Sequence, residues 1–267
     1  MARTPIKKKK REPVEGRVYE TDAIRLLQSL PDQSVDLIIT DPAYESLEKW
    51  RATGTTTRLK KSKGSSNEWF KTFPNSSYPE FFRECYRVLK LGSMLYMFCD
   101  EETRDIVTTG FSPQSGASLE CCLQTPSDIL EHAPLLDAGF KYWKALIWDK
   151  YHCGMGYHWP AQHELIIMAE RVVRKNKHAK IKRVRYPVGN ILCGDVLRVP
   201  RLKGKKYYPT EKPQELIRLL IEASSEKGDT ILDPFCGSGV VGQACAAMGR
   251  HYILGDLDTK EANRRLG

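Results

Sequence analysis

Long apolar runs are missing from this 267-residue sequence, and none approaches the roughly 20 residues that a membrane-spanning helix needs. The eight cysteines form no CxxC pair, and no apolar stretch follows the basic N-terminus. These absences argue against a membrane span, a zinc site and a secretory signal. We therefore expect reduced thiols in a cytoplasmic protein, with no metal and no membrane contact.

Acidic residues are in the minority, with 33 Asp and Glu against 42 Lys and Arg and a formal net charge of +9. This excess suits a polyanionic partner, although charge alone does not separate a nucleic acid from a merely basic surface. The hydrophobic content of 41% fits one α/β domain with a substantial core. Residues 1–15 are interpreted as a basic tail, either solvated or in contact with the polyanion.

The sequence VDLIITDPAY, at residues 35–44, predicts a strand that is buried on both faces and ends in an acidic turn. In open parallel sheets, ligands bind beyond the carboxyl ends of the strands, so Asp41 and Tyr44 are expected where a substrate binds. An ordinary Asp-Pro turn, with Tyr44 as a packing residue, is the alternative.

Residues 230–239, TILDPFCGSG, predict a short strand and a glycine-rich loop, followed by a helix over 240–248 and a strand over 251–256. This is the layout of a nucleotide-type cofactor site, with Asp256 placed to accept hydrogen bonds from two ribose hydroxyls. The loop lacks both the GxGxxG pattern and the Gly-Lys-Ser/Thr ending. Neither a dinucleotide nor a nucleoside triphosphate is therefore the expected ligand.

Two further segments are basic. Residues 45–77 form a long polar stretch that carries Trp50, Trp69 and Phe70. We predict that it is a mobile loop over the acidic turn, or else an insertion without specific contacts. Residues 171–206 carry 13 Lys and Arg against one acid, interleaved with apolar residues. That pattern favours a folded ribbon with one basic face over a solvated surface.

The remaining patterns predict scaffold. Asp22 stands before the helical pattern AIRLLQSL and is expected to cap that helix. Further elements are predicted from hydrophobic spacing: helices over 78–90, 126–137 and 215–223, and strands over 93–98, 141–150 and 161–170.

With both motifs in view, the chain resembles the β class of DNA amino-methyltransferases, which transfer a methyl group from S-adenosylmethionine to an exocyclic amino nitrogen. DPAY, the HELIIMAER block, YPTEKP and DPFCGSG carry the resemblance, in that order. It implies an α/β fold: a Rossmann-like, mostly parallel twisted sheet with helices on both faces and a permuted motif order, catalytic half first and cofactor half last. A small basic target-recognition insertion is also implied.

The implied divisions are a catalytic half over 16–170, a target-recognition segment over 171–206 and a cofactor-binding half over 207–267. Within the catalytic half, 45–77 is the mobile loop and 101–139 an insertion with no assigned function. Two departures from the family pattern occur: Tyr208 replaces a common His, and Val240-Val241 replaces a hydroxyl pair after the glycine loop.

The resemblance also implies roles for individual residues. The catalytic tetrapeptide is Asp41, Pro42, Ala43 and Tyr44. The residues that it implies for cofactor binding are Asp22, Ala23, Thr210, Lys212, Asp233, Phe235, Cys236, Gly237, Ser238, Gly239 and Asp256. In the two basic segments, DNA binding is expected from Lys60, Lys61, Lys175, Lys177, Lys182, Arg183 and Arg185.

The expected reaction is methylation of adenine N6 in double-stranded DNA, because Asp at the first tetrapeptide position goes mostly with adenine in that class. Cytosine N4 is the alternative, and a non-DNA methyltransferase or a non-catalytic DNA-binding protein also stays open. Cytosine C5 chemistry is excluded, since it needs a nucleophilic cysteine and no Pro-Cys pair occurs. A prokaryotic or phage origin is expected; a homodimer and a cognate restriction endonuclease stay open.

Overall fold

The structure is a computed structural model of the chain, and it describes residues 16–46, 71–110, 133–153, 159–172, 194–202 and 210–267. The strands are β1 (Arg17–Glu20), β2 (Val35–Thr40), β3 (Leu89–Cys99), β4 (Phe140–Asp149), β5 (His163–Arg171), β6 (Val196–Arg198), β7 (Thr230–Asp233) and β8 (His251–Asp256). The α-helices are α1 (Ala23–Ser29), α2 (Tyr78–Val88), α3 (Glu101–Thr109), α4 (Pro134–Asp137), α5 (Gln214–Ser224), α6 (Val240–Ala247) and α7 (Lys260–Leu266). A 3-10 turn, Asn75–Ser77, precedes α2.

The strands form one sheet in the order β1-β8-β7-β2-β3-β5-β4-β6. Strand β5 runs antiparallel to β3 and β4, and every other pairing is parallel. The carboxyl ends of seven strands therefore meet at one edge, together with the start of β5. The predicted mostly parallel α/β sheet is confirmed.

Hydrophobic clusters lie on both faces of the sheet, as the fold class requires. One face packs against α1 to α4, and the other against α5 to α7. All six residues of β2 are buried, which explains why polar and apolar residues do not alternate along this strand. Ile38 points into the first cluster, while Leu37 and Ile39 point into the second.

The border between α2 and β3 differs from the prediction. The helix ends at Val88 and the strand begins at once, whereas we expected a helix to residue 90 and a strand from residue 93. The physical reason is a bulge in β3 opposite Asp36, which includes Gly92 at φ +77°. The bulge lets Lys90 Nζ reach the buried Asp36 carboxylate at 2.8 Å, and that carboxylate also accepts from Thr230 N at 3.1 Å.

Part of the segment that was predicted as a mobile loop packs into the core. Phe73 is buried, and its ring contacts those of Tyr78 and Phe81 edge-on at 5.2 and 5.4 Å. The described end of the segment is therefore fixed by aromatic packing from residue 71 onward. Residues 47–70 lie outside the described residues.

Residues 101–109 of the predicted insertion form helix α3, which the hydrophobic spacing did not reveal. Asp100 caps it by accepting from Thr103 N at 2.8 Å, and Gly110 ends it in the left-handed region. Ile106 and Val107 bury one face against the sheet. This part is scaffold, and of the expected helix over 126–137 only Pro134–Asp137 lies within the described residues as a helix.

Part of the predicted target-recognition segment belongs to the main sheet. Strand β6 pairs with β4, and Leu197 and Val199 are buried. A separate basic ribbon over the whole of 171–206 is therefore wrong for residues 194–202, because their apolar side chains extend the main core. The other division boundaries and the permuted motif order stay predictions. Within the described ranges, no helix is both long and apolar enough to cross a bilayer.

Candidate active site

A cavity of about 940 Å³ opens at the edge where the carboxyl ends of the strands meet. All four residues of the predicted tetrapeptide line it: Asp41, Pro42, Ala43 and Tyr44. So do most of the predicted cofactor residues: Asp22, Thr210, Lys212, Asp233, Phe235, Cys236, Gly237, Ser238 and Asp256. Of the other two, Ala23 is buried in the core and Gly239 begins α6. The two distant motifs therefore share one space.

The glycine loop is shaped by contacts that depend on its small residues. Gly237 N donates to Asp256 Oδ2 at 2.8 Å, and Cys236 N donates to Gly255 O at 2.9 Å, so the loop is tied to the end of β8. Gly239 has φ +76°, and a Cβ there would lie 3.0 Å from the Cα of Ala262 on α7. Glycine at 239 is required both by conformation and by the close approach of a helix.

Two carboxylates at this end of the cavity are strongly desolvated. Burial raises the pKa of Asp256, although backbone N–H groups that include Gly237 oppose the shift. Burial also raises the pKa of Asp233 well above its ordinary value, and the charges of Asp256 and Asp41 add to this. A ligand that offers hydroxyl donors or positive charge would relieve this crowding of negative groups.

Asp22 caps α1, as predicted, by accepting from Ile24 N at 3.0 Å and Arg25 N at 3.3 Å. The same residue lines the cavity, so the cap fixes its carboxylate at the cofactor end. Its contact with a cofactor stays a prediction.

The Asp41 carboxylate is held at both oxygens. The Tyr44 hydroxyl donates to Oδ1 at 2.9 Å, and Lys212 Nζ lies 2.6 Å from Oδ2. Burial raises the pKa of Tyr44 well above its ordinary value, and the charges of Asp41 and Glu164 raise it further, so the phenol keeps its proton and donates. The DPAY segment thus carries a fixed, paired carboxylate and is more than an Asp-Pro turn.

The chain is similar to known proteins across both motifs that line this cavity. The N6/N4 family model, described as DNA methylase, matches residues 35–264, a range that includes both motifs. The chain belongs to this DNA methylase family. The resemblance drawn from DPAY and DPFCGSG is confirmed.

Curated relatives and solved structures agree with this placement. This DNA methylase is 27% identical over 260 residues to the Type II methyltransferase M.HpaI of Haemophilus parainfluenzae, covering 92% of this chain and 71% of that protein. It is 26% identical over 253 residues to the Type II methyltransferase M.HinfI of Haemophilus influenzae, covering 88% and 63%. The fold matches that of TTHA0409 from Thermus thermophilus, complexed with S-adenosyl-L-methionine, with a TM-score of 0.58, 21% identity, and coverage of 94% and 92%.

Glu164 and Lys150 complete the charged side of the methylase cavity, and sequence reasoning gave neither a chemical role. Lys212 Nζ lies 3.2 Å from Glu164 Oε2, and Lys150 Nζ lies 3.3 Å from Glu164 Oε1. Burial acts to raise the pKa of Glu164, but Lys212 and Lys150 outweigh it and the pKa is lowered. Burial likewise acts to lower the pKa of Lys212, but Asp41 and Glu164 outweigh it and the pKa is raised. Glu164 and Lys212 are therefore both charged at neutral pH.

Both ends of residues 47–70 are anchored beside the DPAY turn. Ser46 Oγ donates to the Asp100 carboxylate through a short hydrogen bond, and Phe73 N donates to Ala43 O at 2.7 Å. The ring of Phe73 also contacts that of Phe235 in the glycine loop, with centroids 5.1 Å apart. These contacts hold Ser46 and Phe73, described residues that flank 47–70, near the DPAY turn.

The predicted DNA-binding residues Lys60, Lys61, Lys175, Lys177, Lys182, Arg183 and Arg185 lie outside the described residues and stay predictions. In the ranges that are described, no group of three or more His, Cys, Asp or Glu is placed to hold a metal ion.

Proposed function

We propose that this DNA methylase transfers a methyl group from S-adenosylmethionine to the N6 amino group of an adenine flipped out of double-stranded DNA. The observation that carries the proposal is the single cavity shared by the Asp41 turn and the glycine loop. A base beyond β2 and a methyl donor beyond β7 and β8 would then be neighbours, because β2 and β7 are adjacent in the sheet.

An exocyclic amine is a weak nucleophile because its lone pair is delocalised into the base, and the base must leave the helix stack to be reached. Asp41 accepts one amino hydrogen, the Pro42 carbonyl accepts the other, and the nitrogen lone pair is freed toward the methyl carbon. Tyr44 supplies its ring for stacking, a contact worth about 1–3 kcal/mol per base. Its hydroxyl bond to Asp41 fixes that ring beside the accepting carboxylate.

Bound S-adenosylmethionine would supply a methyl carbon activated by positive sulfur. As the N–C bond formed, the C–S electron pair would return to sulfur and the nitrogen would release one proton to solvent. The protein contributes alignment and electrostatics, and no covalent enzyme intermediate is required.

The residues at the glycine-loop end fit this cofactor. Asp233 is buried and Asp256 is partly buried, and these two carboxylates suit ribose hydroxyls and a cationic ligand. Gly237, with φ +45°, allows close backbone approach. A relative with the same fold is complexed with S-adenosyl-L-methionine. We assign Asp256 to the ribose hydroxyls and Asp22 to the adenine end.

Asp256→Asn is expected to raise the Kd for S-adenosylmethionine about 10–100-fold, because hydrogen bonds to a charged acceptor contribute about 1.5–3 kcal/mol. Isothermal titration without DNA measures this. Asp105→Asn is the matched control, since Asp105 pairs with Arg104 on α3 outside the cavity. Equal affinity for both variants would contradict the assignment of Asp256.

The choice of adenine N6 over cytosine N4 rests on Asp41 at the first position of the tetrapeptide. Labelled methyl transfer into DNA, followed by digestion to nucleosides, tests it. We expect N6-methyladenine as the product; methylated cytosine as the only product would overturn the assignment. Sequencing that detects modified bases in DNA from expressing cells would give the site.

Action in the cytoplasm of a prokaryotic or phage-infected cell, together with a cognate restriction endonuclease, is consistent with two relatives that are Type II methyltransferases. A homodimer is a further proposal, and light scattering of the purified protein with and without DNA tests it.

A further inference from the structure

Four charged side chains form a continuous row along one wall of the cavity. Asp41 contacts Lys212 at 2.6 Å, Lys212 contacts Glu164 at 3.2 Å, and Glu164 contacts Lys150 at 3.3 Å. The row alternates in sign and contains two carboxylates and two ammonium groups. Lys212 is at its centre, is only 10% exposed, and lies over the ring of Phe98 at 4.9 Å.

We propose that Lys212 and Glu164 are positioning residues for Asp41 in methyl transfer. Lys212 holds Oδ2 of the carboxylate that accepts the amino hydrogen, and Glu164 holds Lys212. The inference rests on the proposed function, since it assigns what keeps the accepting group in place.

The geometry supports positioning because Asp41 is fixed from two parts of the chain. Tyr44 binds Oδ1 from within the same turn, while Lys212 reaches Oδ2 from the segment before α5. Two contacts on different oxygens set the plane of the carboxylate. Each oxygen has two lone-pair directions, so an acceptor site remains for the substrate amine.

The charges around Asp41 give the row a second effect. Asp233 and Asp41 act on each other as like charges, and Glu164 lies on the far side of Lys212 at 3.2 Å. Lys212 places a positive charge 2.6 Å from Oδ2 of Asp41. Loss of that charge is expected to move the acid limb of the pH–rate profile to higher pH.

This role differs from the cofactor binding that the family resemblance implied for Lys212. The two roles predict different losses. A cofactor contact would show in the binding of S-adenosylmethionine, whereas a positioning contact shows in the transfer step and its pH dependence.

The decisive experiment compares Lys212→Met, Glu164→Gln and the double variant with the wild-type full chain. Two measurements are made on each: the Kd for S-adenosylmethionine by isothermal titration without DNA, and the single-turnover transfer rate on DNA from mildly acidic to mildly alkaline pH. Lys144→Met is the matched control, because Lys144 forms an ion pair of 3.0 Å with Asp195 outside the cavity.

For Lys212→Met we expect an unchanged Kd for S-adenosylmethionine and a transfer rate about 10–100-fold lower. We also expect the acid limb of the pH–rate profile to move to higher pH by about 1–3 units, the effect of losing one close opposite charge. For Glu164→Gln the limb moves the other way, to lower pH, because Lys212 then acts on Asp41 alone. The double variant returns toward the wild-type limb. Lys144→Met keeps the wild-type profile.

The opposite signs separate positioning from a general loss of structure, which would not move the limb in two directions. Should Lys212→Met not fold, Lys212→Arg and Glu164→Gln carry the test: the first keeps the limb near its wild-type position and the second lowers it. A weakened Kd with an unmoved limb in Lys212→Met overturns the inference in favour of the cofactor contact. Wild-type protein that methylates no DNA refutes the proposed function itself.

Discussion

Replacing Asp41 by asparagine is expected to lower the single-turnover methyl-transfer rate about 10²–10³-fold, the usual effect of removing one preorganised polar group from a reacting centre. The amide keeps the shape of the side chain but loses the charge that draws the amino hydrogen. It also turns an NH₂ group toward either Tyr44 or Lys212, which now occupy the two carboxylate oxygens. The rate is measured with enzyme in excess over DNA, so that each site is methylated in one turnover.

Binding of S-adenosylmethionine by Asp41→Asn should stay near the wild-type value, because the residues that we propose for the ribose and the glycine loop lie beyond β7 and β8. Asp195→Asn provides the matched control, as Asp195 is 55% exposed and pairs with Lys144. A transfer rate for Asp41→Asn equal to that of this control would show that Asp41 is not the accepting group.

The second large effect is on stability, at the ion pair between Arg265 on α7 and Glu211. Its N–O distance is 2.5 Å, and the side chains are only 5% and 7% exposed. Methionine at 265 leaves the Glu211 charge buried without this partner. We expect the free energy of unfolding to fall by about 3–5 kcal/mol, as for other buried pairs broken on one side. Urea unfolding at neutral pH measures it.

Arg264→Met is the matched control for that experiment. Arg264 is the neighbouring residue on the same helix, is 63% exposed, and pairs with Glu261 one turn away. Such exposed pairs contribute about 0–1 kcal/mol, so the control should unfold near the wild-type midpoint. If both variants unfolded near the wild-type midpoint, the buried pair would not stabilise the segment that carries Lys212.

Much of the site was predictable because its signals are local. The buried run of β2 followed by Asp41, the glycine loop before α6, and Asp22 before α1 each occupy a few consecutive residues. The rule that ligands bind beyond the carboxyl ends of parallel strands then brings the two motifs to one edge. Chain order and strand type were enough, with no knowledge of side-chain contacts.

The charged row was not predictable in the same way. Asp41, Glu164 and Lys212 come from segments far apart in the chain, and only the order β7-β2-β3-β5 brings them together. Lys212 was assigned to the cofactor because YPTEKP begins the cofactor half, whereas in the fold its ammonium reaches the DPAY turn.

Other elements were not predicted because the prediction relied on hydrophobic spacing, although some of them have local sequence signals. Helix α3 has an Asp100 cap, two acidic residues in its first turn and Gly110 at its end, yet its short apolar pattern escaped notice. The β3 bulge depends on Lys90 reaching Asp36, a pairing across strands. Strand β6 was missed because its buried Leu197 lies in a segment that its many Lys and Arg residues led us to interpret as a basic ribbon.

The position of β1 at the edge of the sheet has a consequence for the order of folding. Its hydrogen-bonding neighbour is β8, and β7 lies between β8 and β2. During synthesis, Arg17–Glu20 emerges from the ribosome early and must wait for His251–Asp256 before it can pair. In a nascent chain, β2 and β3 should therefore pair first. S-adenosylmethionine should bind only after β8 has been synthesised.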